Sequence, residues 1–249
     1  MMLLIDVGNS NIVFSFSDGK DVLNTFRLNT NINITSDEYY ISFRNFVREE
    51  NINSVYISSV VPSITRILRE MFETHYNIGA KIMGVDLKTK IGIIADDPHS
   101  VGSDLICDVS GGLEYGDEGL IIDMGTAIKY VYFKNKKLTG VAFAPGVAIS
   151  MKALLENTAL LPSVILKTPK KVLNNSTISC MQSGVIYGTA SAIDGMIDRI
   201  KEEVNNKDLT VISTGGLAKI IYPLCKNKII CDPNITQKGL LRIANLNIK

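Results

Sequence analysis

Met2-Leu3-Leu4-Ile5-Asp6-Val7-Gly8-Asn9-Ser10-Asn11 decides the reading of this chain. The apolar run has the character of a buried strand, and Asp-x-Gly-Asn-Ser has the composition of the tight turn that ends it. Such a turn sets a carboxylate, a glycine and small polar side chains at a strand's end, a common ligand position in α/β proteins. The pattern returns as Leu120-Ile121-Ile122 followed by Asp123-Met124-Gly125-Thr126-Ala127. A further glycine turn, Ser213-Thr214-Gly215-Gly216-Leu217, follows Val211-Ile212. Two strand-then-Asp-x-Gly units in one chain predict two related half-domains facing one cleft.

Composition narrows the alternatives. A chain of 249 residues with 46% hydrophobic and 20% charged residues has ample material for a buried core and is not a disordered sequence. Its net charge of +1 gives no electrostatic case for nucleic acid or an anionic membrane. No apolar run approaches the roughly 20 residues that span a bilayer, and the short N-terminal run lacks the flanks of a signal peptide. The expectation is a soluble, cytoplasmic protein. Cys107, Cys180, Cys225 and Cys231 form no Cys-x-x-Cys pair, and His75 and His99 are too far apart to clip a metal locally. The cysteines therefore read as small core residues.

Apolar strands and amphipathic segments alternate along the chain. Residues 1–7, 12–16 and 22–28 predict an antiparallel meander turned at Asp18-Gly19. A helix is expected over 35–50, capped by Thr35 or Ser36, then a strand over 54–59 and a helix over 64–76. Residues 81–85 read as a short strand and 101–115 as a helix. Strand, turn and strand follow over 120–133, with helices over 149–156 and 179–203 and a strand over 211–213 leading to a last helix. The fold class is α/β with mixed sheets flanked by helices, divided as 1–116 and 117–249.

The glycine turns carry the chemistry. Phosphates bind where backbone N–H groups approach closely, which requires residues without bulky side chains. Alone, each turn is also what an ordinary hairpin uses; together, each after an apolar strand, they point to phosphate binding and phosphoryl transfer. The aspartates suit a cation that neutralises phosphate charge. No Gly-x-x-x-x-Gly-Lys-Ser/Thr loop and no Gly-x-Gly-x-x-Gly is present, which argues against P-loop and Rossmann enzymes.

On these motifs the chain resembles the type III pantothenate kinases, of the superfamily that includes acetate kinase, sugar kinases, heat-shock chaperones and actin. The likeness rests on Leu4 to Val13, Phe26-Arg27-Leu28 with Ser36-Asp37-Glu38-Tyr39, Ile57 to Pro62, Pro98 with Val101-Gly102-Ser103-Asp104, Ala144-Pro145-Gly146, Met181-Gln182-Ser183-Gly184 and Thr214 to Ala218, in that order. It implies two RNase H-like (actin-like ATPase) domains and ATP-dependent phosphorylation of pantothenate, the first step of coenzyme A synthesis. It also implies magnesium-nucleotide, a potassium or ammonium ion, and a homodimer.

Residue by residue, the resemblance makes Asp104 the general base; a helix-end carboxylate is the alternative reading. It sets Asp6 near the metal and phosphates, with Val7, Gly8, Asn9, Ser10 and Asn11 in the phosphate cradle. Asp123 matches the monovalent-cation ligand; Gly125, Thr126, Gly215 and Gly216 match nucleotide contacts. Gly102, Ser103, Leu105 and Thr177 fall on substrate positions, Thr177 reading alternatively as a helix cap. There are departures. Leu105 stands where the family has arginine, and Ala95 where it has tyrosine. Ile128-Lys129-Tyr130-Val131 replaces small hydroxyl residues and an aspartate. Losing an arginine contact to an anionic substrate costs about 1.5–3 kcal/mol, roughly 10- to 150-fold in binding. Lys129 is read either as a replacement positive charge or as a solvent-facing strand residue. A kinase-like subunit of a heteromer with a paralogue, or a non-catalytic regulator, is the alternative function.

Overall fold

A computed structural model describes residues 1–47, 51–158 and 161–248. In chain order the first part comprises β1 (Met2–Val7), β2 (Asn11–Ser17), β3 (Val22–Asn29), α1 (Ser36–Arg44), β4 (Ser54–Ser59), α2 (Pro62–Tyr76), β5 (Lys81–Ile82), β6 (Gly92–Ile93) and α3 (Ser103–Gly112). The remainder comprises β7 (Glu118–Met124), β8 (Ala127–Lys134), β9 (Lys137–Pro145), α4 (Val147–Glu156), α5 (Thr177–Glu203), β10 (Val211–Thr214), α6 (Ala218–Ile221), β11 (Ile230–Cys231) and α7 (Ile235–Leu246).

β1 is a continuous apolar run because both of its faces are covered. Leu3, Ile5 and Val7 pack into a cluster with Phe14, Phe43, Leu68 and Phe72, and Leu4 packs on the opposite face with Tyr56, Cys107 and Leu240. The first sheet has the order β3-β2-β1-β4-β5, with β1 antiparallel to β2 and parallel to β4. The second has the order β11-β10-β7-β8-β9-β6, with β7 antiparallel to β8 and parallel to β10. Apart from the short β6, the two sheets have the same plan: a central strand continues into a meander on one side and takes a parallel partner on the other. The expected relation between the halves is thus present in the topology.

Local signals account for the element ends. Thr35 and Glu38 form a reciprocal capping box at the start of α1. That helix ends at Arg44, short of the expected 35–50, and residues 48–50 lie outside the described ones. α2 begins at Pro62, which supplies a pre-set φ at the first helical position. The strand expected over 81–85 shrinks to Lys81–Ile82, because Gly84 turns the chain with φ +78°. The helix expected over 101–115 is confined to Ser103–Gly112.

The chain divides into two compact units: Met1–Glu114 with Lys136–Leu138 and Asn234–Lys249, and Tyr115–Asn135 with Thr139–Pro233. The sequence reading leaves α7 unassigned and puts residues 234–249 in the second domain; the structure packs α7 on α3 in the first unit. Glycine makes that contact close. A Cβ on Gly239 would stand 1.8 Å from the Cys107 carbonyl oxygen, and one on Gly111 2.1 Å from that of Ile235. Ile235, Leu240, Leu241, Ile243 and Ala244 fill the seam. No helix among the described residues is long and apolar enough to cross a membrane.

Candidate active site

In the first unit the chemistry gathers where β1 ends. The Gly8 N–H donates to the Asn11 carbonyl at 2.9 Å, closing the turn. Thr30, beyond β3, holds it from outside: its hydroxyl donates to Gly8 O at 2.6 Å and its N–H to Ser10 O at 3.0 Å. Asn9, Ser10 and Asn11 are exposed, as a cradle requires, whereas Val7 is fully buried and its carbonyl accepts the Val60 N–H at 3.0 Å. Val7 is thus a core residue, and the strand's inward alternation carries it there.

Asp6 is flanked in the sheet by Val13 on β2 and Ser58 on β4. The Ser58 hydroxyl donates to Asp6 Oδ1 at 3.1 Å and lies 3.1 Å from Ser103 Oγ. Ser103 in turn accepts the Ser59 N–H at 2.8 Å and donates to the Ser59 carbonyl at 3.0 Å. This network ties the first residue of α3 to the ends of β1 and β4. It sets Asp104, the next residue, in the helix's first turn.

Asp104 Oδ1 accepts the Leu105 N–H at 2.9 Å in the first turn of α3, so the helix-end role is real. Gly102 makes room for that carboxylate, since a Cβ there would stand 2.5 Å from Oδ1. Leu105 is 6% exposed, so its side chain belongs to the interior, while Ala95 is exposed. Cys107 lies fully buried beneath these groups. Burial first, and then the nearby Asp6 carboxylate, push its thiol well above the ordinary range, so it stays protonated and is no nucleophile. Cys180 departs from the core reading: it is exposed on α5, while Cys225 and Cys231 are half-buried.

The second unit repeats the strand-then-turn plan with different neighbours. Asp123 on β7 is flanked by Thr214 on β10 and Lys129 on β8. Lys129 Nζ lies 2.5 Å from Asp123 Oδ2, and each side chain is only 15% exposed. The solvent-facing reading of Lys129 therefore fails. Its neighbours Ile128 and Tyr130 point into the core, and the pleat turns Lys129 to the face that carries Asp123.

The Gly125-Thr126 turn closes through Gly125 N–H to Ala127 O at 3.1 Å. Gly146 braces it by donating to Thr126 O at 3.1 Å, an approach that leaves only 2.2 Å for a Cβ. Gly215 has φ +93° and packs on the Asp123 carboxylate, where a Cβ would meet Oδ1 at 2.6 Å. Nothing lies within 4 Å of the Cβ direction of Gly216. Thr126 is exposed. Thr177 is the exposed first residue of α5, and the cap is Ser176, which accepts the Ser179 N–H at 3.3 Å. The capping reading thus moves by one residue.

Among the described residues, no three His, Cys, Asp or Glu side chains gather to hold a metal. Asp6 and Asp123 each lie beside a glycine turn, and Asp123 is paired with the Lys129 ammonium. Sequence reasoning missed the Ser103 link, the Thr30 brace and the Lys129 pair. Counting residue for residue across the Gly125-Thr126 turn would have shown the last of these, since it sets 129 opposite 123.

Comparison with known proteins bears on this arrangement. A protein from Acholeplasma laidlawii named type III pantothenate kinase is 44% identical over 249 residues, covering all of both chains. One of the same name from Syntrophus aciditrophicus is 37% identical over 99% of this chain and 100% of its own. Among solved structures, a ROK family glucokinase from Streptomyces griseus superposes with a TM-score of 0.54 at 12% identity, covering 98% of each chain. At that identity the likeness speaks for the fold alone, the two-domain fold of sugar kinases and actin. The family profile of type III pantothenate kinase matches residues 2–199, and the chain belongs to that family.

Proposed function

We propose that this chain transfers the γ-phosphoryl group of ATP to the primary hydroxyl of pantothenate, giving 4′-phosphopantothenate and ADP. The observation that carries the reading is the seat of Asp104. It occupies the first turn of a helix whose start is hydrogen-bonded to the strand ends bearing Asp6 and its glycine turn. In this reading Asp104 accepts the proton of the attacking hydroxyl as its oxygen bonds to phosphorus and the bond to ADP breaks. The Gly8–Asn11 turn, and the turns at Gly125-Thr126 and Gly215-Gly216, serve as phosphate and nucleotide contacts. Magnesium, carried on the nucleotide, supplies charge neutralisation, with Asp6 the carboxylate nearest to it in role. Gly102, Ser103 and Thr177 complete the substrate side.

Leu105 offers no charged group to pantothenate's carboxylate, which makes weak substrate binding an expected property. A monovalent cation at Asp123 would have to share that carboxylate with the Lys129 ammonium. A homodimer in the cytoplasm belongs to the same reading; a heteromer with a paralogue is the alternative that Leu105 favours. The test is an ADP-release assay on the purified chain with ATP, magnesium and pantothenate. Pantothenate-dependent release that falls by about 10²- to 10⁴-fold in Asp104→Asn, with nucleotide binding retained, supports the assignment. Unchanged turnover in that variant removes Asp104 from the mechanism. No release from the native chain, with nucleotide bound, favours the heteromer.

A further inference from the structure

Asp123 is the residue on which the family resemblance places a potassium or ammonium ion, and the residues around it do not leave that place open. Lys129 stands directly opposite Asp123 on the β7–β8 ladder, so both side chains emerge on one face. The ammonium reaches Oδ2 at 2.5 Å, with only 15% of either side chain exposed. The other oxygen faces the backbone at Gly215, where even a Cβ would come within 2.6 Å. One oxygen thus meets a fixed positive charge and the other meets close-packed main chain.

A diffusible monovalent cation at this carboxylate would meet the Lys129 charge. Like unit charges about 4 Å apart at an effective dielectric of about 20 weaken binding on the order of a thousandfold. The two cations are also chemically equivalent here, since a lysine head group is an ammonium carried on a tether. Tethering holds it at the carboxylate without the loss of a free ion's translational freedom. The first unit shows that the fold does not itself call for this lysine: the position opposite Asp6 is Val13.

We infer that Lys129 is a built-in monovalent cation, its ammonium standing at Asp123 in place of a potassium or ammonium ion, so that catalysis by this chain is independent of added monovalent salt. The inference rests on the kinase reading for its catalytic consequence, and on geometry alone for its binding consequence.

The test compares the full-length chain in potassium chloride and in choline chloride at equal ionic strength, reading both ADP release and the thermal unfolding midpoint. The native chain is expected to turn over within twofold in the two salts, with equal midpoints. Lys129→Ala is expected to lose at least tenfold in choline, to recover with potassium or ammonium chloride, and to show a midpoint that potassium raises and choline does not. Lys129→Gln, which keeps a polar side chain, stands in if the alanine variant gives no cooperative transition.

A native chain that is silent in choline and activated by potassium overturns the inference. So does a lysine variant indifferent to potassium in both readouts, which marks the pair as a cross-strand ion pair and no more. If the native chain turns over in neither salt, stand-alone kinase activity fails, and the midpoints still decide whether Lys129 excludes the ion.

Discussion

The hairpins β1–β2 and β7–β8 are two versions of one device, and they differ in what faces the aspartate. Each has an apolar central strand, an Asp-x-Gly turn, an antiparallel partner and a parallel partner. Around Asp6 the cross-strand residue is Val13, and the Ser58 hydroxyl donates to the carboxylate. Around Asp123 the cross-strand residue is Lys129, an ammonium at 2.5 Å. A carboxylate answered by a lysine is neutralised within the protein. The same backbone thus sets a valine opposite one aspartate and a lysine opposite the other, and a single cross-strand position makes that difference.

The largest expected contrast concerns the turn glycines. Gly215→Ala must place a Cβ 2.6 Å from Asp123 Oδ1 and from the Met124 backbone at φ +93°, and is expected to cost about 3 kcal/mol. Gly8→Ala meets only the Asn11 carbonyl at 3.2 Å and should cost about 1 kcal/mol or less. Urea unfolding of both variants measures the difference, and equal costs would show that the Asp123 corner is no more tightly packed than its counterpart.

The next contrast is charge. Asp123→Asn strips the anion from a mostly covered ammonium and is expected to destabilise by about 1–3 kcal/mol. Asp6→Asn retains an acceptor for the Ser58 hydroxyl and should cost under about 1 kcal/mol in folding, its effect appearing in turnover. Denaturant midpoints in which the Asp6 variant is the less stable would break the comparison. The smallest effect is expected of Ser58→Ala, which removes one hydroxyl from Asp6 and should cost about 0.5 kcal/mol. Because Ser58 lies against Ser103, that change should also loosen the seat of Asp104 and lower turnover several-fold. A stability loss with turnover unchanged would confine the network to a structural role.

Much of the molecule was legible in the order of residues. Period-2 and continuous apolar runs gave the strands, the Thr35–Glu38 box marked a helix start, and repetition of Asp-x-Gly announced two related halves. Local chemistry dictates these features, and neighbouring residues carry it. Reading failed where partners were distant in sequence. The C-terminal helix joins the first unit because glycines at 111 and 239 let two backbones touch, a fact no local pattern holds. Thr30 braces a turn that ends 19 residues before it, counting from Asn11, through a meander whose register must be known first.

By itself the sequence determined the family, the α/β class, the repeated strand-and-turn plan and the carboxylates on which phosphoryl transfer would rest, because each is written in contiguous residues. Tertiary structure decided that Lys129 is drawn against Asp123 in a mostly covered ion pair. Asp6 and Asp123 sit in nearly the same local sequence, and only the register of the neighbouring strand delivers a valine to one and a lysine to the other. An ion pair depends on distance and on desolvation, and both are properties of the folded chain.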